Sequence, residues 1–159
     1  MKIGIAATMV VLALSAGGAN AAEAKPEDMV FCSKAALFSE VFSGGLQASK
    51  SRNDSAAMAV AALNKTFNQQ ADVKQLNLLL AWASMVEKLP GYRPHTGGAF
   101  VAFSCMALLK DAKYLPMGSL MVVASVRKLL DTCESEADDA AVGACLRKNF
   151  DTLPLEKMD

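Results

Sequence analysis

The fold of this chain is decided by the stretch Gly97–Lys110, which reads GGAFVAFSCMALLK. Between Gly98 and Lys110 the stretch contains a single polar residue, Ser104, so a helix formed here is apolar on every side. A helix of that kind belongs inside a protein, surrounded by other helices. The stretch therefore predicts the central helix of a helical bundle, over about residues 98–113.

Five more segments carry apolar residues at helical spacing, over about 26–43, 55–65, 73–89, 119–133 and 139–152. Gly44-Gly45 weakens or ends the first of these helices, and Asn53 or Asp54 can cap the second. No segment shows the alternation of a strand, and the last residues are expected to form a loose tail. The chain is therefore expected to fold as an all-α, single-domain bundle of five or six helices.

The same patterns predict which side chains enter the core. In the first helix, Phe38 and Phe42 fall on the apolar side, whereas Lys34 and Ser39 fall on the polar side. The third helix carries two apolar stripes and should make contacts on two sides. The stripes are Val73, Leu76, Leu80 and Ala83, and Leu78, Trp82, Met85 and Leu89. Five methionines are expected at or beside core positions as flexible fillers: Met58, Met85, Met106, Met117 and Met121.

The first 21 residues have the pattern of a secretory signal peptide. Lys2 supplies a charged start, residues 3–14 are apolar, and small residues lead to an Ala-x-Ala site that ends at Ala21. The apolar part is too short to span a membrane, which takes roughly 20 residues. We therefore expect a signal peptide over 1–21 and a single helical domain over 22–159. The mature domain should have no membrane span and a periplasmic or secreted location.

The mature chain is almost neutral. The whole sequence has 16 basic and 16 acidic residues, and removal of 1–21 takes away one charge, Lys2, which leaves 15 basic and 16 acidic residues. A general nucleic-acid binder needs a basic field to meet the phosphate backbone. The charge balance therefore argues against nucleic acid as a partner.

All four cysteines, Cys32, Cys105, Cys133 and Cys145, lie in the mature part. An even number in an exported protein indicates two disulfides. Three pairings are open, and the simplest joins Cys32 to Cys105 and Cys133 to Cys145. If the sixth helix begins at Asp139, Cys145 lies about 9 Å along its axis. Since bonded cysteines need Cα atoms within about 7 Å, the second pair requires a late helix start or a loop that returns alongside the fifth helix.

The sequence lacks the motifs that mark familiar enzyme sites. The nucleophile elbow, the Walker loop, the dinucleotide-binding glycines and His-Glu-x-x-His are all missing. A metal site would need close ligand pairs, but His95 is the single histidine and the cysteines are widely spaced. Catalysis by His95 with Cys105 would require a free thiol in an oxidising compartment. We therefore expect no catalytic residues, no metal and no cofactor.

The segment Pro90–Gly97, predicted as a loop, is the best candidate for a binding surface. Tyr92, Arg93 and His95 stand there among prolines that stiffen the chain and glycines that permit tight turns. Tyrosine and arginine are typical anchors of protein interfaces. The alternative interpretation is a simple connector, in which Tyr92 packs on the bundle and Arg93 is solvated.

In size, signal, helix content and cysteines, the chain is similar in type to small exported helical proteins that act by binding others. Toxin-immunity proteins, enzyme inhibitors and acid-stress chaperones of the periplasm are of this type, but no motif here assigns a family. We expect a non-enzymatic protein whose partner is another protein. The alternative is a carrier of a small apolar ligand in the bundle core, because methionine suits plastic pockets. An enzyme with an unrecognised site is a third hypothesis.

Overall fold

A computed structural model describes residues 25–70 and 72–158, so the predicted signal peptide lies outside the described residues. The described part folds as a bundle of six α-helices, which confirms the predicted all-α class. The helices are α1 (Pro26–Gln47), α2 (Arg52–Phe67), α3 (Val73–Glu87), α4 (Pro94–Asp111), α5 (Leu120–Glu134) and α6 (Asp139–Asn149), and a short 3-10 helix, Phe150–Thr152, follows α6.

Local signals explain where most of the helices begin. Proline occupies the start of α1 and α4, where its missing N–H leaves no helical hydrogen bond unmade. Ser51, Asp72 and Asp138 cap α2, α3 and α6, because their side chains accept hydrogen bonds from backbone N–H groups of the first turn. Ser51 supplies the cap of α2 instead of either predicted residue, so α2 begins earlier than expected.

α1 does not end at Gly44-Gly45, as the sequence suggested, but continues to Gln47. Gly45 is a contact point with α2, because a Cβ built there would lie 2.8 Å from the Cβ of Ser55. The missing side chain lets the two helices approach closely. This packing outweighs the low helix propensity of glycine, which amounts to about 1 kcal/mol.

α4 lies at the centre of the bundle, between two apolar clusters. The amino-terminal cluster joins α1, α2 and α3 to α4 and includes Phe38, Phe42 and Val101. The carboxy-terminal cluster joins α5 and α6 to α4 and includes Phe100. The neighbours Phe100 and Val101 thus enter different clusters, which is why this helix has to be apolar on every side. The hydroxyl of its polar residue Ser104 has a hydrogen-bond partner within the helix, because it donates to the carbonyl of Phe100 at 3.0 Å.

α3 contacts both clusters, as predicted, but its two stripes are confirmed only in part, since Val73 is 75% exposed and Trp82 packs against the amino-terminal cluster. Leu80 packs against the amino-terminal cluster and Met85 against the carboxy-terminal cluster. Most of the buried residues of α3 are not the predicted ones, since Leu79 and Val86 are buried while Leu78 is about half exposed. Consecutive leucines leave the register open in the sequence, and packing decides it.

The methionines divide between core and surface. Met117 is buried, and Met85 and Met106 are partly buried. Met58 and Met121 are exposed, so the prediction of core positions was wrong for these two. An unbranched apolar side chain does not reveal from its type alone which side of a helix will be covered.

α1 is buried on more than one side. Lys34 and Ser39, predicted on its polar side, are 8% and 0% exposed, because α1 packs against both α2 and α4. The Lys34 ammonium donates to Gln69 Oε1 at 3.2 Å and lies 5.3 Å from the centre of the Phe67 ring. The aliphatic part of the lysine side chain is thus buried between helices, while its ammonium group contacts polar and aromatic partners at the end of α2.

Among the described residues, α1 is the helix long and apolar enough to cross a membrane, with a mean hydropathy of 1.2 over its best window. A core helix has the same composition, and here Phe38 and Phe42 are fully buried in the bundle. The absence of a membrane span from the mature chain therefore stays a prediction.

Two disulfides hold the bundle, in the simplest of the three pairings. Cys32–Cys105 ties α1 to α4, and Cys133–Cys145 ties the end of α5 to the middle of α6, each with Cα atoms 5.5 Å apart. α6 does begin at Asp139, so no late start is needed. The connection 135–138 instead folds back and brings α6 alongside the end of α5.

The last described residues do not form a loose tail, which corrects the prediction. Strand β2 (Glu156–Lys157) pairs antiparallel with strand β1 (Lys113–Tyr114), just after α4. The Tyr114 hydroxyl donates to the Glu156 carboxylate at 2.8 Å. Strands of two residues are too short to show an alternating pattern in the sequence.

Candidate functional site

The predicted loop Pro90–Gly97 is shorter than expected. α4 begins at Pro94, so His95 and the two residues after it belong to the first helical turn, and the connection from α3 is 88–93. Gly91 turns the chain with φ at +101°, a conformation that favours glycine. Pro94, which was assigned to the loop, is instead the first residue of α4, a position that suits proline.

Tyr92 links two helices to the connection. Its hydroxyl donates to Asp131 Oδ1 on α5 at 2.8 Å, and its carbonyl accepts a hydrogen bond from the side chain of Gln47 at the end of α1. Its ring packs against the carboxy-terminal cluster. Burial, together with the hydrogen bond to Asp131, raises the pKa of Tyr92 to about 12, so the phenol keeps its proton at neutral pH.

Arg93 forms hydrogen bonds with the carboxyl end of α5. Its Nε donates to Glu134 Oε1 at 3.0 Å, and its Nη2 donates to the backbone carbonyl of the same residue at 3.0 Å. Its backbone N–H also donates to Glu134 Oε1, at 2.8 Å. A guanidinium at the carboxyl end of a helix offsets the negative end of the helix dipole. Arg93 therefore fixes the start of α4 against the end of α5.

His95 contacts carboxylates from two other helices. Its Nδ1 lies 3.4 Å from Glu40 Oε2 on α1 and 3.8 Å from Asp139 Oδ2 on α6. Hydrogen bonding with Glu40 raises the pKa of His95, partial burial opposes that rise, and the charges of Glu40 and Asp139 add to it. The side chain is 21% exposed, so solvent protons reach it. His95 is a half-buried, titratable contact among α1, α4 and α6.

The three candidate side chains are neighbours in sequence but face different partners. Tyr92 and Arg93 face α5, whereas His95 faces α1 and α6. Tyr92 packs on the bundle, as the connector interpretation requires, but Arg93 is bonded rather than simply solvated. In residues 25–70 and 72–158, no group of three or more His, Cys, Asp or Glu side chains is placed to hold a metal ion.

A second surface lies at the start of α5. Leu120 is 87% exposed and Met121 is 81% exposed, the highest values among the large apolar side chains of the described residues. The turn before them is closed by a hydrogen bond from the Ser119 N–H to the carbonyl of Pro116, at 2.9 Å, and is anchored by the buried Met117. The pair is thus held by a hydrogen-bonded turn and the first turn of a helix.

The sequence reading missed Leu120 and placed Met121 in the core, although the helical register contained the signal. Val122 and Val126 form the buried line of α5 at a spacing of four. Each residue of an α-helix is rotated by a little more than a quarter turn from the next. The two residues before Val122 therefore begin outside the buried line, on the side that faces solvent.

A shallow recess of about 190 Å³ lies between α4 and the segment that ends α6. Phe103 and Phe150 line it, with ring centres 5.8 Å apart. Charged side chains of both signs also line it: Lys110, Asp111, Arg147 and Asp151. The recess is smaller than the roughly 300–1,000 Å³ of typical ligand pockets, so it suits a side chain or a small group.

No family model matches the chain, and comparisons with curated proteins and with solved structures find no similar protein.

Proposed function

We propose that this protein is exported to the periplasm and works there, without a catalytic role or cofactor, by binding another protein. The two disulfides support an oxidising compartment, because such bonds form and persist mainly outside the cytoplasm. The signal-peptide pattern of residues 1–21 supports export. Immunity protein, inhibitor and chaperone are the three types of binding function that fit this description.

The observation that carries the proposal is the exposed pair Leu120 and Met121. Burial of one such side chain is worth about 1.5–3 kcal/mol, and most of the area of both is still open to water. Since the pair stands on the first turn of a helix whose other side is buried, binding would immobilise little that is not already ordered. Methionine also adapts its shape to an apolar partner.

The rest of this helix surface indicates the chemistry of the partner. Ser125 and Lys128 follow Met121 at spacings of four and seven residues, which places them on the same side of α5. Lys128 is exposed, as is the neighbouring Arg127. The partner that fits best is a protein with an apolar cleft and acidic groups about two helical turns away.

The test is affinity capture of the mature protein from a periplasmic extract of its native host. We compare the wild type with a Leu120→Ser/Met121→Ser double variant, which should bind its partner at least about 100-fold more weakly because two apolar contacts are lost. Val73→Ser is the matched control, since it removes a side chain that is 75% exposed on a different helix. All three proteins should have similar melting temperatures.

Equal capture of the partner by the double variant would remove this surface from the proposal. Repeated capture of no protein at all would count against a protein-binding function. A stable complex with one partner would favour an immunity protein or an inhibitor. Binding of many unfolded proteins would favour a chaperone.

The predicted binding residues Tyr92, Arg93 and His95 are the alternative to the pair on α5, although His95 faces α1 and α6 and the other two face α5. The side chain of Arg93 is 41% exposed and could be shared with a partner, whereas the Tyr92 hydroxyl is already bonded to Asp131. Alanine substitutions here would remove contacts within the bundle as well as contacts with a partner. Tyr92→Phe keeps the ring in place but still removes the hydrogen bond to Asp131, so its capture is read only together with its melting temperature. Weaker capture at an unchanged melting temperature would favour these residues.

The alternative function is a carrier of a small apolar ligand, which was predicted to lie in the bundle core. The candidate site that the structure offers for it is instead the shallow recess beside Phe103 and Phe150. Native mass spectrometry of protein purified from its host tests this function directly. A co-purifying apolar molecule would favour the carrier. Its consistent absence would argue against it.

A further inference from the structure

The only histidine of the chain stands where the two halves of the bundle meet. Glu40 belongs to α1, which contributes to the amino-terminal cluster, and Asp139 begins α6, which contributes to the carboxy-terminal cluster. One carboxylate oxygen from each lies within 3.8 Å of the same nitrogen, Nδ1 of His95. A single titratable group therefore faces one acidic side chain from each half.

We propose that His95 is a pH-dependent bridge between the two halves of the bundle. When it is protonated, the imidazolium carries a positive charge between Glu40 and Asp139 and attracts both. When it is neutral, its Nδ1 can donate at most one hydrogen bond, and the charge attraction to both carboxylates is lost. Rising pH therefore loosens the link between α1 and α6, and falling pH restores it.

Within residues 25–70 and 72–158, the charges that act on the imidazole are both acidic. Glu40 faces it from α1 and Asp139 faces it from α6, and these two charges act on its protonation. The nearest cation in sequence, Arg93, is turned towards α5. Other charged groups near this end of α3 and α5 are paired among themselves: Glu87 with Arg52 at 2.8 Å, and Glu134 with Arg93 at 3.0 Å.

The Cβ of Glu40 is held at the crossing of α1 and α4, while its carboxylate lies on a side chain that is 39% exposed. A Cβ built on Gly98 would lie 2.9 Å from the Cβ of Glu40, so α1 and α4 cross in close contact at this point. The first turn of α4 carries the positive end of the helix dipole, which opposes protonation of His95. The hydrogen bond with Glu40 raises the pKa of His95, partial burial opposes the rise, and the charges of the two carboxylates add to it.

The direction of the pH effect follows from the same contacts. A histidine whose pKa is higher in the folded protein than in the unfolded chain stabilises the fold fully below about pH 6.5. That contribution is lost as the pH rises through the folded-state pKa. In mild acid His95 is therefore charged and attracts both carboxylates, whereas in mild alkali it is neutral and this attraction is lost.

Proton NMR of the mature protein tests the bridge, because the single imidazole gives one titrating resonance. We expect its inflection above pH 6.5 in the wild type. Glu40→Gln should lower it, and Asp139→Asn should lower it less, because Asp139 is farther from the ring. Glu27→Gln is the matched control, since it removes a carboxylate from the same helix about 20 Å away and should change nothing. An inflection at or below 6.5, or no effect of Glu40→Gln, would overturn the proposal.

A stability measurement tests the bridge independently of the resonance. The melting temperature of the wild type should be about 1–2 °C higher at pH 5.5 than at pH 8.0, after subtraction of the change seen in His95→Gln. The small size of the shift reflects partial exposure of the pair. An identical pH dependence in the wild type and in His95→Gln would show that the bridge does not hold the halves together.

Discussion

At the scale of single residues, Gly98 decides how closely α1 and α4 can pack. A Cβ at this position would lie 2.9 Å from the carbonyl oxygen of Ala36 and 2.9 Å from the Cβ of Glu40. A backbone carbonyl cannot rotate away as a flexible side chain can. The missing side chain is thus what allows α1 and α4 to meet, although alanine would be the better residue for an isolated helix.

We predict that Gly98→Ala lowers the free energy of unfolding by about 1–3 kcal/mol, because the two helices must separate to admit the methyl group. Chemical denaturation measures the change. Gly143→Ala in α6 is the matched control, since no atom lies within 4 Å of a Cβ built there. The control should gain up to about 1 kcal/mol from helix propensity. Unchanged stability of Gly98→Ala would mean that α1 and α4 can separate at little cost.

At the scale of elements, the two disulfides have different tasks. Cys32–Cys105 closes a long span of the chain, with a sequence separation of 73, and joins α1 to the central helix α4. Cys133–Cys145 closes a separation of 12 and holds α6 to its neighbour α5. Since the entropy lost by the unfolded chain grows with the size of the closed loop, the first bond should contribute more to stability.

We predict a loss of about 4 kcal/mol in the free energy of unfolding for Cys32→Ala/Cys105→Ala and about 3 kcal/mol for Cys133→Ala/Cys145→Ala. Each pair is replaced completely, so that neither variant leaves a single free thiol. Hydrogen exchange should quicken mainly in α6 in the second variant, because α6 then loses its covalent tie. A larger loss from the shorter loop would contradict the order expected from chain entropy.

At the scale of the whole molecule, the pH response separates the three types of binding function. An acid-activated chaperone has to expose its core when the pH falls. The raised pKa of His95 gives the opposite direction, because protonation adds attraction to Glu40 and Asp139 across the bundle. This histidine therefore cannot be the group that opens the protein in acid.

We predict that binding of a hydrophobic dye to the wild type does not increase between pH 8.0 and pH 5.5, the interval in which histidine titrates. Fluorescence of the dye measures exposure of the core, and His95→Gln serves as the control because it cannot take up the proton. A clear rise in wild-type fluorescence over this interval would favour the chaperone over the immunity protein and the inhibitor. Constant fluorescence would mean that an acid-activated chaperone has to open at lower pH, through protonation of its carboxylates.

Much of the architecture could be predicted because it depends on local patterns. The apolar stretch around Val101 requires a helix buried on all sides, and capping residues such as Asp72 mark where helices begin. The segment Pro90–Gly97 was also singled out from the sequence, because it contains a tyrosine, an arginine and a histidine. What these side chains contact could not be predicted, because Asp131, Glu134 and Glu40 are distant in sequence and no local spacing connects them.

The sequence by itself determined the all-α class and the central place of α4, because helical periodicity is a local property of the chain. The choice among three cysteine pairings was left open by the sequence and was decided by the packing of α1 on α4 and of α5 on α6. Only the tertiary structure decided that Gly45 is a helix crossing rather than a helix end. It also decided that Met121 is exposed to solvent and that His95 contacts one carboxylate from each half of the bundle. Each of these depends on which helices pack together, and packing between distant segments is a property of the whole chain.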